Sequence, residues 1–165
     1  MFTTRTLLLC LALAGSLLPF GCGSPKGWTA VRPVGGTVLY KGQPAVDVQI
    51  SFHPVGKGEG PKLPSAFAKT DARGRFVLRT FSDNDGAAPG EFVVLLTKTI
   101  DENAAASNPD ITATQPKPKY KELLPAFLGL PGTTPLRVTV PSDRSSTFEI
   151  SLGDTPKECS IKSAG

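Results

Sequence analysis

The sequence predicts an all-β fold, a two-sheet antiparallel sandwich of seven strands, and three observations lead to it. The 165 residues include 17 glycines and 16 prolines, a density that divides the chain into short segments. Seven of these segments have strand composition, and several alternate apolar with polar residues as half-buried strands do. No segment of the exported part has the apolar spacing of a long helix. Strands with one apolar face must bury it, and packing two sheets face to face achieves this.

The seven strands are predicted at regular spacing between turn segments. The clearest is 46–52, where four apolar residues from Val46 to Phe52 alternate with three polar ones. Residues 91–98 are the most apolar segment beyond the N-terminus and predict a central strand buried on both faces. The other strands are expected at residues 34–40, 66–70, 75–81, 134–140 and 147–152.

Residues 1–21 have the composition of an export signal. Arg5 supplies a positive charge, and the apolar run 7–18 is shorter than the roughly 20 residues that a membrane span needs. The segment ends in Gly21-Cys22 and resembles a bacterial lipoprotein signal, in which a cysteine after a small residue becomes the lipidated first residue of the mature protein. The resemblance implies that Cys22 anchors the protein to a membrane of the cell envelope. Plain secretion and an uncleaved anchor remain the alternatives.

The rest of the chain divides into a tether, one domain and a tail. Residues 22–32, in which the small and polar Gly23 and Ser24 follow Cys22, are expected to tether the domain, which spans residues 33–153. Residues 101–121 have few large apolar side chains and are predicted to be a flexible insertion. One helical turn is expected within 120–128, and residues 154–165 are expected to form a loose tail.

Short motifs follow one another in a fixed order along the domain. They are Val34-x-Gly36-Thr37-Val38, Lys41-Gly42-Gln43-Pro44, Thr70-Asp71-x-x-Gly74-x-Phe76-x-Leu78, Gly86-Ala87-x-Pro89-Gly90-x-Phe92-x-Val94 and Thr134-Pro135-Leu136. This order resembles carboxypeptidase regulatory-like domains, in the variant found in small lipoproteins of planctomycete-type bacteria. The resemblance implies a transthyretin-like (prealbumin-like) Greek-key sandwich. It implies no catalytic residue, because these domains accompany peptidases as a separate module.

Few residues offer catalytic or cofactor chemistry, so a non-enzymatic protein without a cofactor is expected. His53 is the only histidine, and no nucleophile elbow of the G-x-S-x-G type accompanies it. His53 and Cys159 lack further ligands at zinc-binding spacing. The net charge of +4 is spread without a dense basic block, which argues against nucleic acid as a partner.

Two weaker site hypotheses remain open. Asp83 and Asp85 offer oxygen ligands of the kind that Ca²⁺ prefers, although the EF-hand pattern is missing and a plain loop is the other interpretation. Trp28 and Tyr120 are aromatic residues that are candidates for stacking on sugars. The expected function is a structural or interaction-mediating module of the cell envelope, with an envelope protein or a glycan as partner. The alternative is a carbohydrate- or peptide-binding module at the cell surface.

Overall fold

The structure is a computed structural model that describes residues 30–56, 63–103 and 117–164. Within these ranges the chain is all-β, with eleven strands and two short 3₁₀ helices. The strands are β1 Val34–Tyr40, β2 Gln43–Pro44, β3 Gln49–Pro54, β4 Ala66–Lys69, β5 Arg75–Val77, β6 Gly90–Thr97, β7 Thr99–Asp101, β8 Tyr120–Glu122, β9 Arg137–Val140, β10 Ser146–Leu152 and β11 Ser160–Ser163, and the 3₁₀ helices are Ala126–Gly129 and Pro156–Glu158. Each of the seven segments expected to form strands overlaps one of these strands.

The strands form two main sheets and one small ribbon. The five-stranded sheet has the order β11-β10-β1-β2, and β5 also pairs with β1. β5 lies beside the first half of β1, at Gly35–Thr37, whereas β2 lies beside its end, at Leu39 and Tyr40. The four-stranded sheet has the order β4-β3-β6-β9. The ribbon consists of β7 and β8. The two sheets also touch at one margin, where Phe67 and Arg79 exchange backbone hydrogen bonds of 2.9 and 2.8 Å.

The hydrophobic core lies between the two sheets. Both sheets send fully buried side chains into one cluster, including Val38 and Ile150 from one sheet and Phe52, Phe92 and Leu96 from the other. Strand alternation accounts for this, because every second residue of a strand faces the same side. The expectation that residues 91–98 form a strand buried on both faces is confirmed for β6, since its residues from Phe92 to Leu96 are all buried.

The prediction of a wholly antiparallel sandwich is wrong at one pair of strands. β1 and β10 run parallel, with Val34 opposite Ser146 and Tyr40 opposite Leu152. Alternation shows which face of a strand is buried and carries no information on strand direction. The two strands lie at opposite ends of the domain sequence, so no short hairpin fixes their relative direction.

The strand expected at 46–52 begins later, at Gln49, and ends at Pro54. Asp47 interrupts it with a φ of 57°, a left-handed conformation that does not continue a strand. The alternation still predicts burial correctly at Val48, Ile50 and Phe52. The pattern therefore identified the buried face although it misplaced the start of the strand.

The ends of the expected insertion are paired with each other. β7 and β8 place Asp101 opposite Tyr120, and the carboxylate of Asp101 also accepts hydrogen bonds from the backbone of Asn103 and Lys119, each 2.9 Å. The helical turn expected from residue 120 is confined to Ala126–Gly129, because residues 120–122 are a strand. Residues 104–116 of the expected flexible insertion lie outside the described residues.

The tail expected to be loose after Gly153 is instead structured. β11 pairs antiparallel with β10, and the turn before it carries a capping box in which Thr155 and Glu158 bond each other's backbone. Cys159 is partly buried, with its Sγ 3.4 Å from the Gly153 nitrogen. β11 has little alternation of apolar and polar residues, because it is held mainly by backbone pairing to the edge of β10.

Candidate functional site

The outer face of the four-stranded sheet carries two rows of side chains that cross three strands. In β3, Ile50 and Phe52 point into the core, so Ser51 and Gln49 point outward. The strand register then sets the neighbours of these outward residues. The first row is Phe67, Ser51 and Leu95, and the second is Lys69, Gln49 and Thr97.

These two rows form the floor of a groove of about 620 Å³. On the side of β5, the groove is lined by Val77, Arg79, Asp83 and Asn84. Gly129, at the end of the 3₁₀ helix Ala126–Gly129, also lines it. Its volume is within the range of about 300–1,000 Å³ that is typical of small-molecule sites. The backbone bridge between Phe67 and Arg79 fixes this arrangement, because it joins β4 to the chain after β5.

Two large apolar side chains are exposed in this groove. Phe67 is 46% exposed and Val77 is 50% exposed, although both belong to well-paired strands. The rings of His53 and Phe67 are perpendicular to each other, with centroids 6.4 Å apart. Exposed apolar side chains that share one concave surface are typical of binding sites.

The polar side chains of the groove fall into two sets. The cations are paired, since Lys69 Nζ lies 3.0 Å from Asp47 Oδ1 and Arg79 Nη1 lies 4.0 Å from Asp83 Oδ1. In contrast, the side chains of Gln49, Asn84 and Thr97 (the free polar set) make no hydrogen bond to any residue in the described ranges. The groove is therefore close to electrically neutral and keeps donors and acceptors available for a ligand.

The carboxylate of Asp85 organises the loop that carries Asp83 and Asn84. It accepts hydrogen bonds from the backbone N–H groups of Thr80 at 2.7 Å, Phe81 at 2.9 Å and Ser82 at 3.0 Å. Asp85 thus has an intramolecular role, and the calcium hypothesis for this loop gains no support. No cluster of three or more metal-ligating side chains occurs in the part of the chain that the structure describes.

We expect Asp85→Asn to destabilise the fold by about 1 kcal/mol at pH 7, because an amide has one acceptor oxygen where the carboxylate has two. Burial raises the pKa of Asp85, but the backbone hydrogen bonds outweigh it and hold the pKa below the usual 3.8. A lowered pKa stabilises the fold above pH 3.8, and this contribution disappears as the pH falls through the folded-state pKa. Urea unfolding of both proteins from pH 7 to pH 3 measures the difference. If the difference in unfolding free energy between the two proteins stays constant from pH 7 to pH 3, the stabilising role of the ionised Asp85 carboxylate is contradicted.

His53 contacts a serine but no carboxylate. Its Nε2 lies 3.1 Å from Ser51 Oγ, and both side chains are on the outer face of β3. No acidic side chain in residues 30–56, 63–103 or 117–164 hydrogen-bonds to His53. Within the described ranges, the Ser-His pair therefore has no carboxylate that orients the imidazole as in a Ser-His-Asp triad.

A second polar cluster joins Tyr40, Lys41 and Asp154. Asp154 accepts a 2.6 Å hydrogen bond from the Tyr40 hydroxyl and pairs with Lys41 Nζ at 2.6 Å. The interaction with Asp154 raises the pKa of Tyr40 and of Lys41, and the same contacts lower the pKa of Asp154. Lys41 is thus held in its charged form and is unsuited to nucleophilic attack. We interpret this exposed cluster as a link between the β1–β2 turn and the start of the tail.

The residues proposed from the sequence do not meet at one site. Cys22 and Trp28 lie outside the described residues. Tyr120 is 71% exposed on β8 and does not line the groove. The sequence analysis did not identify Phe67 as a candidate binding residue. Its position between Ala66 and Ala68 could have indicated it, because one large side chain alternates there with two small inward-facing ones.

No helix in the described ranges is long and apolar enough to cross a membrane. No protein-family model matches this chain, and no curated protein matches it. Among solved structures, the chain is similar to a 9R-lipoxygenase from Cyanothece PCC8801, with 14% sequence identity and a TM-score of 0.38. The similarity covers 77% of this chain and 17% of the lipoxygenase chain. A TM-score this low carries no argument about the fold or the function of the domain.

Proposed function

We propose that the protein is an exported, lipid-anchored interaction module of the cell envelope that acts by binding and not by catalysis. The observation that carries the binding role is the groove on the four-stranded sheet, with Phe67 and Val77 exposed inside it. The signal-like residues 1–21 and the position of Cys22 support the anchored location.

The path of the chain into the domain is compatible with anchoring. Arg32 pairs with Ala87 through two backbone hydrogen bonds, and its side chain donates to the Ser142 carbonyl oxygen at 3.1 Å. Residues 30–32 therefore lie at the end of the domain where β1 begins, and the Lys41 turn lies at the opposite end of that strand. Since the groove lies on a sheet face, an anchor that holds residues 30–32 near a membrane would leave the groove accessible from the side.

We also propose a transthyretin-like Greek-key relationship, which rests on the motif order. The motif glycines occupy turns that suit them: Gly42 has a φ of 78° after β1, and Gly74 has a φ of 72° before β5. Asp71 accepts hydrogen bonds from the backbone of Arg73 and Arg75, which closes the second turn. The structure differs from the predicted seven-stranded antiparallel arrangement in the parallel β1–β10 pair and in the additional short strands β2, β7, β8 and β11.

The binding role is tested by photo-crosslinking in cells. A photoreactive residue replacing Val77 lies in the groove, and one replacing the exposed Tyr120 on β8 lies outside it as the control. We expect adducts with envelope material at position 77 and not at position 120. Equal yields at the two positions, or no adduct at position 77, would contradict the proposal.

The anchor is tested by labelling with palmitate in vivo. Cys22→Ser is expected to abolish incorporation, because the thiol that carries the lipid is lost. Cys159→Ser is the matched control and should incorporate label like the original chain, since Cys159 is partly buried within the tail. Unchanged labelling of Cys22→Ser would show that Cys22 is not the acylation site.

A further inference from the structure

We propose that the groove binds a neutral carbohydrate, with a sugar ring packed on Phe67 and its hydroxyls bonded to the side chains of Gln49 and Asn84. This inference rests on the proposed binding function and names the ligand class for the same groove. Three features of the groove carry it: the exposed ring, the free polar set and the pairing of the backbone.

The ring of Phe67 offers an apolar platform of suitable size. It is 46% exposed, and the ring of His53 lies perpendicular to it with a centroid distance of 6.4 Å. A pyranose presents C–H groups on its face and hydroxyls around its edge. Packing the C–H face against an aromatic ring removes apolar surface from water and leaves the hydroxyls free for polar partners.

The free polar set matches hydroxyl groups. The amides of Gln49 and Asn84 each combine donors with an acceptor, and a sugar hydroxyl does both as well. Each groove cation already has a carboxylate neighbour, Asp47 for Lys69 and Asp83 for Arg79. Since these charges are compensated within the protein, charge complementarity favours a neutral ligand over an acidic one.

The backbone around the groove argues against an extended peptide. A peptide commonly binds by adding a strand to a free sheet edge. β4 pairs with β3 on one side, and on the other the backbone of Phe67 is bonded to Arg79 in both directions. A ligand of this groove must therefore be recognised through side chains, as sugars usually are.

The test is binding of the full chain, kept in a sugar-free detergent, to an array of neutral gluco-, manno-, galacto- and xylo-oligosaccharides with uronic-acid oligosaccharides as the comparison. We expect saturable binding to at least one neutral series. Phe67→Ala should weaken it by about tenfold or more, and Phe67→Trp should retain it. Asn84→Gly should weaken it while keeping the loop, because Asn84 has a φ of 60° that glycine tolerates.

Tyr120→Ala is the matched control, since Tyr120 is an exposed aromatic residue outside the groove. Absence of binding to every neutral oligosaccharide, or binding that Phe67→Ala leaves unchanged, would overturn the inference. If sugar binding is absent while crosslinking at position 77 persists, the ligand is not a neutral carbohydrate and the binding module stands. Absence of both sugar binding and crosslinking at position 77 would contradict the proposed binding function as well.

Discussion

Gly86→Ala is expected to destabilise the domain by about 4 kcal/mol or more, a large fraction of the roughly 5–15 kcal/mol by which a typical domain is stable. A Cβ at this position would lie 1.7 Å from the carbonyl oxygen of Arg32, and Gly86 has a φ of 94°. The Arg32 carbonyl cannot move away easily, because it also accepts a 3.0 Å hydrogen bond from the N–H of Ala87. Urea unfolding followed by circular dichroism measures the change.

Alanine variants of two other glycines distinguish the steric clash of the added Cβ from backbone strain as causes of this loss. A Cβ added at Gly132 would meet open space, and the residue has no left-handed φ, so Gly132→Ala should stay within about 0.5 kcal/mol of the original protein. Gly42 also has open space but a φ of 78°, so Gly42→Ala should cost about 1–2 kcal/mol from backbone strain alone. A Gly86→Ala protein as stable as Gly132→Ala would show that the chain does not enter β1 as described.

Phe92→Ala is expected to lower the free energy of unfolding by about 3–5 kcal/mol. The Phe92 ring is fully buried between the sheets and lies 5.9 Å, centroid to centroid, from the ring of Phe52. Its removal leaves a cavity in a core to which both sheets contribute. Equilibrium unfolding in urea at constant pH gives the value.

Phe67→Ala is the matched control for this change, because it removes the same side chain from the outer face of the same sheet. Since Phe67 is 46% exposed, its loss should cost about 1 kcal/mol, well below the cost at Phe92. The two phenylalanines should therefore separate folding from binding: the Phe92 variant loses stability, and the Phe67 variant keeps its fold and loses the ligand. Equal destabilisation by both would place Phe67 in the core and contradict the groove.

Alternation along the chain was sufficient to predict the all-β fold and most of the inward-facing residues. It identified Val48, Ile50 and Phe52 as core residues, and all three are buried. It gave no information on the direction of β1 relative to β10, because a period of two is the same in parallel and antiparallel strands. The pairing of β11 was missed since it depends on the backbone edge of β10, which carries no side-chain signature.

The groove was harder to predict than the fold. Outward positions of Val77 and Phe67 follow from the alternation around them, but their shared surface depends on the pairing of Phe67 with Arg79 across the two sheets. That contact is tertiary and has no local pattern. The exposed aromatic at Tyr120 was a sequence-level candidate that the structure places outside the groove, whereas Cys22 and Trp28 remain predictions from the sequence alone.

The affinity of the full chain for isolated cell envelopes tests most directly whether the groove is the binding surface. The full chain in lipid nanodiscs is titrated against sedimented envelopes, with empty nanodiscs as the blank. We expect saturable binding that Phe67→Ala combined with Val77→Ser weakens by about tenfold or more, while Tyr120→Ala leaves it unchanged. Saturable binding that is the same with and without the two groove substitutions would contradict the assignment of the groove as the binding surface.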